Sequence, residues 1–146
     1  TAYTAQGGSL MVTGSYLLTD VWTSPVATAA DRKFATDVLH VSYGGGMATR
    51  RGEVKGVLQS LFKGDFGVEF NTELNDEIYC VESPEVVRAA GKQTYTAMRY
   101  RSTNQPAATL HAGKYRVFVA GFPFETILSA EERDAMMAGV LGYIIK

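Results

Sequence analysis

Apolar positions recur at three- and four-residue steps most clearly near the end of the chain, where Met136, Met137, Val140, Leu141 and Ile144 form one stripe. Ser129-x-x-Glu132 stands before it as a capping box, so the spacing predicts a helix to about Ile145 that docks on a sheet. Glu131, Glu132 and Asp134 crowd its N-terminal end and Lys146 suits the other. Burying each stripe residue is worth roughly 1.5–3 kcal/mol against tenths for exposed charges, so packing decides this helix. Upstream, Arg116 to Ala120 is an unbroken β-rich run ended by Gly121 and Pro123. Residues 113–146 therefore read as a strand–loop–helix unit closing a parallel sheet.

The chain opens on Thr1 to Gly8, which reads as the last turn of a helix stopped by glycine, followed by an apolar strand from Ser9 to Gly14. This predicts the C-terminal part of a larger domain whose earlier β/α units are missing or come from another chain. Ser15 to Trp22 reads as an exit from the strand into a loop. The next helix starts with Ser24 before Pro25 or with Thr28 before Asp31, shows Phe34, Val38 and Leu39 on its apolar face, and ends near His40. Gly44-Gly45-Gly46 reads as a flexible turn. It follows a helix, whereas phosphate-cradling glycine loops follow a strand.

From about residue 52 to 112 the pattern changes to short alternating stretches, at 52–62, 66–70, 78–82, 95–100 and 107–111, separated by turn residues. Phe66, Val68 and Phe70 share one face and Glu69 takes the other. The stretch reads as antiparallel hairpins, an insertion or extension between two β/α units. Cys80, within Ile78-Tyr79-Cys80-Val81, reads as a buried strand residue.

Composition narrows the function classes. The 146 residues make one ordinary domain, and a net charge of −1 gives no electrostatic case for nucleic acid or an anionic membrane. No run reaches the ~18 apolar residues of a membrane span. A single cysteine excludes an internal disulfide framework, and no cofactor or metal signature stands out. Asn75-Asp76-Glu77 reads as a solvated turn rather than a cation loop.

Ligands in an open parallel sheet gather outside the carboxyl ends of the strands. Ser15, Tyr16 and Asp20 after the first strand, and Phe122, Phe124, Glu125 and Thr126 after the last, thus define one candidate crevice. Ser15 and Glu125 are the catalytic candidates, with His40 or His111 as the base, although the turn is not a Gly-x-Ser-x-Gly elbow. Tyr16, Asp20, Phe122, Phe124 and Thr126 are the binding candidates. Glu125 reads more readily as a structural clamp, accepting from backbone amides or pairing with Arg133, and Asp20 as a cap of the following turn. Trp22, Tyr43, Tyr79, Tyr95, Tyr100 and Tyr115 offer sugar-stacking surfaces in principle, against a default of packing.

Gly-Gly-Ser-Leu-Met-Val-Thr-Gly-Ser-Tyr at 7–16 with Asp20, and Gly-Phe-Pro-Phe-Glu-Thr-Ile at 121–127 with Arg133 and Met137, resemble the C-terminal part of a glutamine-amidotransferase-like domain. Such domains occur in secreted proteins of the Bacteroidetes type, labelled xanthan lyase-like or N-acetylmuramoyl-L-alanine amidase-like. The resemblance implies an α/β, flavodoxin-like parallel sheet flanked by helices, with an antiparallel β insertion. It also implies a secreted or periplasmic setting and a glycan or peptidoglycan partner. The family's nucleophilic cysteine is absent from the matching turn Val12 to Tyr16. The expected function is thus an accessory, scaffold or glycan-binding module, and the alternative is an amidase or esterase using Ser15 with Glu125 and a histidine.

Overall fold

The computed structural model describes residues 2–145. In chain order these form helix α1 (Ala2–Ala5), strand β1 (Leu10–Thr13), helices α2 (Leu17–Thr23) and α3 (Ala29–Asp37), and strands β2 (Val41–Tyr43), β3 (Glu53–Gly56) and β4 (Gly67–Glu69). Strands β5 (Val87–Ala89), β6 (Thr94–Tyr100), β7 (Pro106–Ala112) and β8 (Arg116–Ala120) follow, then a 3-10 turn at Phe124–Thr126 and helix α4 (Ala130–Ile144). One mixed six-stranded sheet is ordered β1-β8-β7-β6-β3-β4, and β2 pairs with β5 in a separate antiparallel sheet. The chain is a mixed α/β fold.

The two glycine-marked ends meet. β1 and β8 are parallel neighbours, with Leu10 opposite Val117 and Val12 opposite Val119. The other pairings of the large sheet are antiparallel, which corrects the expected flavodoxin-like parallel sheet to a mostly antiparallel one. Connection length is the physical reason. Only Gly113–Tyr115 separate β7 from β8, whereas a parallel pair needs a crossover of a dozen or more residues. Residues 52–112 thus supply the body of this sheet rather than an excursion from it.

β8 is buried on both faces, which explains its unbroken apolar run. Phe118 and Ala120 meet Met136, Val140 and Ile144 of α4, while Val117 and Val119 meet Leu18 of α2 and Ala35 of α3. The predicted closing helix is observed, capped by the Ser129 hydroxyl, which accepts the Glu132 N–H at 3.3 Å. The Glu132 carboxylate does not return to Ser129. It accepts the Glu69 N–H on β4 at 2.9 Å, while the Leu128 N–H donates to the Glu69 carbonyl at 2.8 Å. The outer edge of β4 is therefore closed by side chain and loop, as exposed sheet edges require. Glu132→Ala is expected to cost about 0.5–1.5 kcal/mol and to speed hydrogen exchange selectively at the Glu69 amide. Lys146, assigned to the helix's far end, lies outside the described residues.

Several local expectations are corrected. Ser15 to Trp22 enters a helix rather than a loop, because Leu17, Leu18, Val21 and Trp22 repeat at helical spacing. The following helix starts at Thr28, whose hydroxyl accepts the Asp31 N–H while Asp31 accepts the Thr28 N–H. Residues 78–82 form a loop, not a strand: the Asn71 amide donates to the carbonyls of Glu73, Ile78 and Tyr79 and organises it from within. Cys80 is half-buried in that loop. The three glycines make a packed turn. Gly44 donates to the Val86 carbonyl, Val86 donates back to Gly45, and Gly45 adopts φ 131.

Candidate functional site

β1 enters α2 through Gly14-Ser15-Tyr16, a sharp strand-to-helix elbow at the carboxyl end of the parallel pair. Tyr16 is the N-cap residue in the left-handed region, φ 60 and ψ 6, and its side chain gives no cap. A bulky residue there stores roughly 1–3 kcal/mol of strain. Helix first-turn amides have no intrahelical acceptor, so the elbow leaves α2 with donors to satisfy.

Glu85 satisfies two of them from 67 residues away. Its two carboxylate oxygens accept the Leu18 N–H at 2.9 and 3.1 Å, and one also accepts the Thr19 N–H at 2.6 Å. The residue is fully buried, and its negative charge faces the positive end of α2. Its own backbone is held on both sides: its N–H donates to the Gly121 carbonyl at 2.7 Å, and its carbonyl accepts the Tyr100 hydroxyl at 2.7 Å. Burial, and then the Glu85 charge, push the Tyr100 phenol well above its ordinary range, so it remains a neutral donor. Tyr100→Phe is expected to cost about 1–2 kcal/mol in a denaturant titration, since the buried carbonyl loses its side-chain donor.

In acyl-transfer elbows the amides after the apex stabilise a developing oxyanion. For Ser15 the first such amide is the one on Tyr16; the Glu85 carboxylate holds the amides two and three residues farther on, at Leu18 and Thr19. Ser15 is half-buried beside the apex, and no hydrogen bond joins it to a histidine among the described residues. His111 lies opposite Val117, three residues short of Ala120 along β8, which is about 10 Å at ~3.3 Å per residue, and farther still from the elbow. His40 stacks on His111 and shares that distant end.

The remaining candidates separate in the same way. Tyr16 is exposed at the apex, and Asp20 is exposed one turn along α2, where it lines a groove with Val21, Val26, Asp31 and Phe34. Phe124 is half-buried, and its N–H donates to the Thr13 hydroxyl at 3.2 Å, so the two ends of the chain do meet. Glu125 is exposed, and Arg133 is spent on the Ile127 carbonyl, which replaces the expected clamp between them. Phe122 and Thr126 have no exposed surface. Phe122 stacks on Phe70 at 5.1 Å between centroids, and the Thr126 hydroxyl donates to the Pro123 carbonyl at 2.6 Å. Both belong to the core rather than to a binding surface.

Beside the elbow, Trp22 stacks on Tyr43 at 6.4 Å, and the Thr19 hydroxyl donates to that of Tyr43 at 3.3 Å. Tyr100 is fully buried, which removes it from the sugar-stacking set. Glu85 itself carries no local signal in Ser83-Pro84-Glu85, because its partners are distant in sequence. No family model and no curated protein matches the chain.

Proposed function

We propose that this chain is an accessory module, without hydrolytic chemistry of its own, within a secreted glycan- or cell-wall-directed protein. The observation that carries this reading is that both histidines lie at the far end of β8 from Ser15, which leaves the elbow without a base, while the α2 amides of Leu18 and Thr19 are taken up by the buried Glu85 carboxylate. Tyr16 is the residue the module presents to sugar. Its ring is exposed at the apex of a strained turn, and strain of this kind concentrates at functional positions.

A scaffold role rests on β1. Leu10 and Val12 pack toward α2 and α3 and Met11 toward α4, so the strand is apolar on both faces, as interior parallel strands are. It is nevertheless the terminal strand of the sheet, and no charged side chain precedes Asp20. We take β1, its elbow and β8 as the flavodoxin-like part of the fold. Further β structure, from the same protein or another chain, would continue the sheet from this edge.

The test combines binding and turnover. Wild type, Tyr16→Ala and Ser15→Ala are compared for retention on insoluble peptidoglycan and a glycan array, and for hydrolysis of chromogenic esters and amides. Tyr16→Ala should weaken retention about two- to tenfold, the worth of one aromatic contact at roughly 0.5–1.5 kcal/mol. Ser15→Ala should change nothing. Ser15-dependent turnover would revive the hydrolase, and a blank array would leave a purely structural role.

A further inference from the structure

At the end of the sheet opposite the elbow, His40 and His111 lie face to face, ring centroids 3.6 Å apart and planes 19° from parallel. They belong to different parts of the fold. His40 stands at φ 56 in the link from α3 to β2, and His111 is on β7. Tyr115, between β7 and β8, has its hydroxyl 2.9 Å from His40 Nε2 and 3.0 Å from the Val38 carbonyl. Thr94 of β6 has its hydroxyl 3.0 Å from His111 Nδ1 and 3.2 Å from the Ala90 carbonyl.

Each hydroxyl has one proton, for which backbone carbonyls and a ring nitrogen compete. With the Tyr115 proton on the Val38 or Asp37 carbonyl, its oxygen accepts from His40 Nε2–H. With the Thr94 proton on the Ala90 or Lys92 carbonyl, its oxygen accepts from His111 Nδ1–H. Both imidazoles are neutral in this arrangement, leaving His40 Nδ1 and His111 Nε2 as the basic nitrogens. His111 Nε2 is pressed on Gly113, where a Cβ would stand 2.4 Å away, and His40 Nδ1 is 3.9 Å from the corresponding point at Gly91. A proton on either nitrogen places a cation against the facing ring.

We infer that the His40–His111 stack is an acid-sensitive clasp, which fastens the α3–β2–β5 segment to the β6–β7–β8 end of the large sheet and releases on protonation. The backbone makes the coupling direct, since the Ala90 N–H donates to the His40 carbonyl and so extends the β2–β5 ladder to the clasp. Asp37, near the end of α3, is the carboxylate that acts on His40 and on Tyr115. Exposed Lys92 and Lys114 lie on the turns leading into β6 and β8.

The direction follows from burial. Burial holds both imidazoles below the ordinary value of 6.5; Asp37 partly opposes this at His40, and His40 adds to it at His111. As pH falls through that value the opened form takes up protons first. The clasp is therefore complete above it and lost below it.

Imidazole NMR titration of the intact chain, with amide protection factors measured between pH 7.5 and 5.5, tests the inference. Both histidines should titrate below 6.5, with shifts that report each other's protonation. Protection at Val41–Tyr43, Ala89 and Ala90 should fall severalfold relative to Val117–Val119 as the opened form takes up protons. His111→Asn, whose amide can still donate to Thr94, should reduce that acid dependence to what His40 alone contributes. A histidine titrating at or above the ordinary value, an equal fall in both segments, or unchanged acid dependence in His111→Asn overturns the clasp. Should the variant not fold, the wild-type titration alone decides.

Discussion

Glu85→Ala is expected to lower the unfolding free energy by about 2–5 kcal/mol, because two buried helix amides lose their acceptor at roughly 1–3 kcal/mol each. The side chain is fully buried and bonds to Leu18 and Thr19, so its loss strikes the elbow and the α2 side of the core together. Glu85→Gln keeps one acceptor oxygen of similar shape and should cost less. Urea titration followed by tryptophan fluorescence is a suitable readout, since Trp22 lies on α2. A Glu85→Ala change within 0.5 kcal/mol of wild type, the ordinary scatter of surface substitutions, would mean that water replaces the carboxylate without loss.

Gly121→Ala is expected to be of similar severity, about 3 kcal/mol, at the upper end of what overpacking costs. A Cβ at this position would stand 2.3 Å from the Glu85 carbonyl oxygen, 3.0 Å from its carbon and 2.9 Å from Val87 Cγ2. Two of those three atoms are backbone and cannot rotate away. β8 must separate from the Glu85 segment, which breaks the Glu85 N–H bond to the Gly121 carbonyl. Gly142→Ala is the matched control. Its Cβ meets nothing within 4 Å on α4, so helix propensity alone should stabilise the protein by about 0.5–1 kcal/mol. Thermal unfolding of the two variants should therefore move in opposite directions.

The elements readable from the chain are those whose signals are local. α4 carries its own cap and stripe, β8 its own apolar run, and α3 its reciprocal Thr28–Asp31 cap. α2 escapes because its cap is not local: Tyr16 offers no acceptor, and the carboxylate that serves comes from Glu85. β2 and β5 are three residues each, too short for an alternation to stand out. The large sheet is misjudged for a related reason. The parallel β1–β8 pair is visible at the chain's ends, but strand direction elsewhere depends on which strands become neighbours.

The candidate site divides along the same line. That Thr13 and Phe124 approach one another follows from the parallel pair, which the glycine-marked ends of the chain make visible in the sequence. Phe122 looks like a loop aromatic between Gly121 and Pro123, yet it turns inward because Phe70 on the neighbouring edge offers a ring to stack on. The histidines are drawn into one cluster, but at the wrong end of β8 for Ser15, and no spacing in the chain announces that.

Hydrogen exchange at the Leu18 and Thr19 amides of the intact wild-type chain weighs the plugged elbow most directly. Second and third amides of a helix have no partner within it and exchange as exposed groups unless something outside holds them. Protection of both at the level of Val117–Val119 is the predicted result. Exchange of either at the rate of an open loop would contradict it, leaving the elbow's donors free for a ligand or a reacting oxygen.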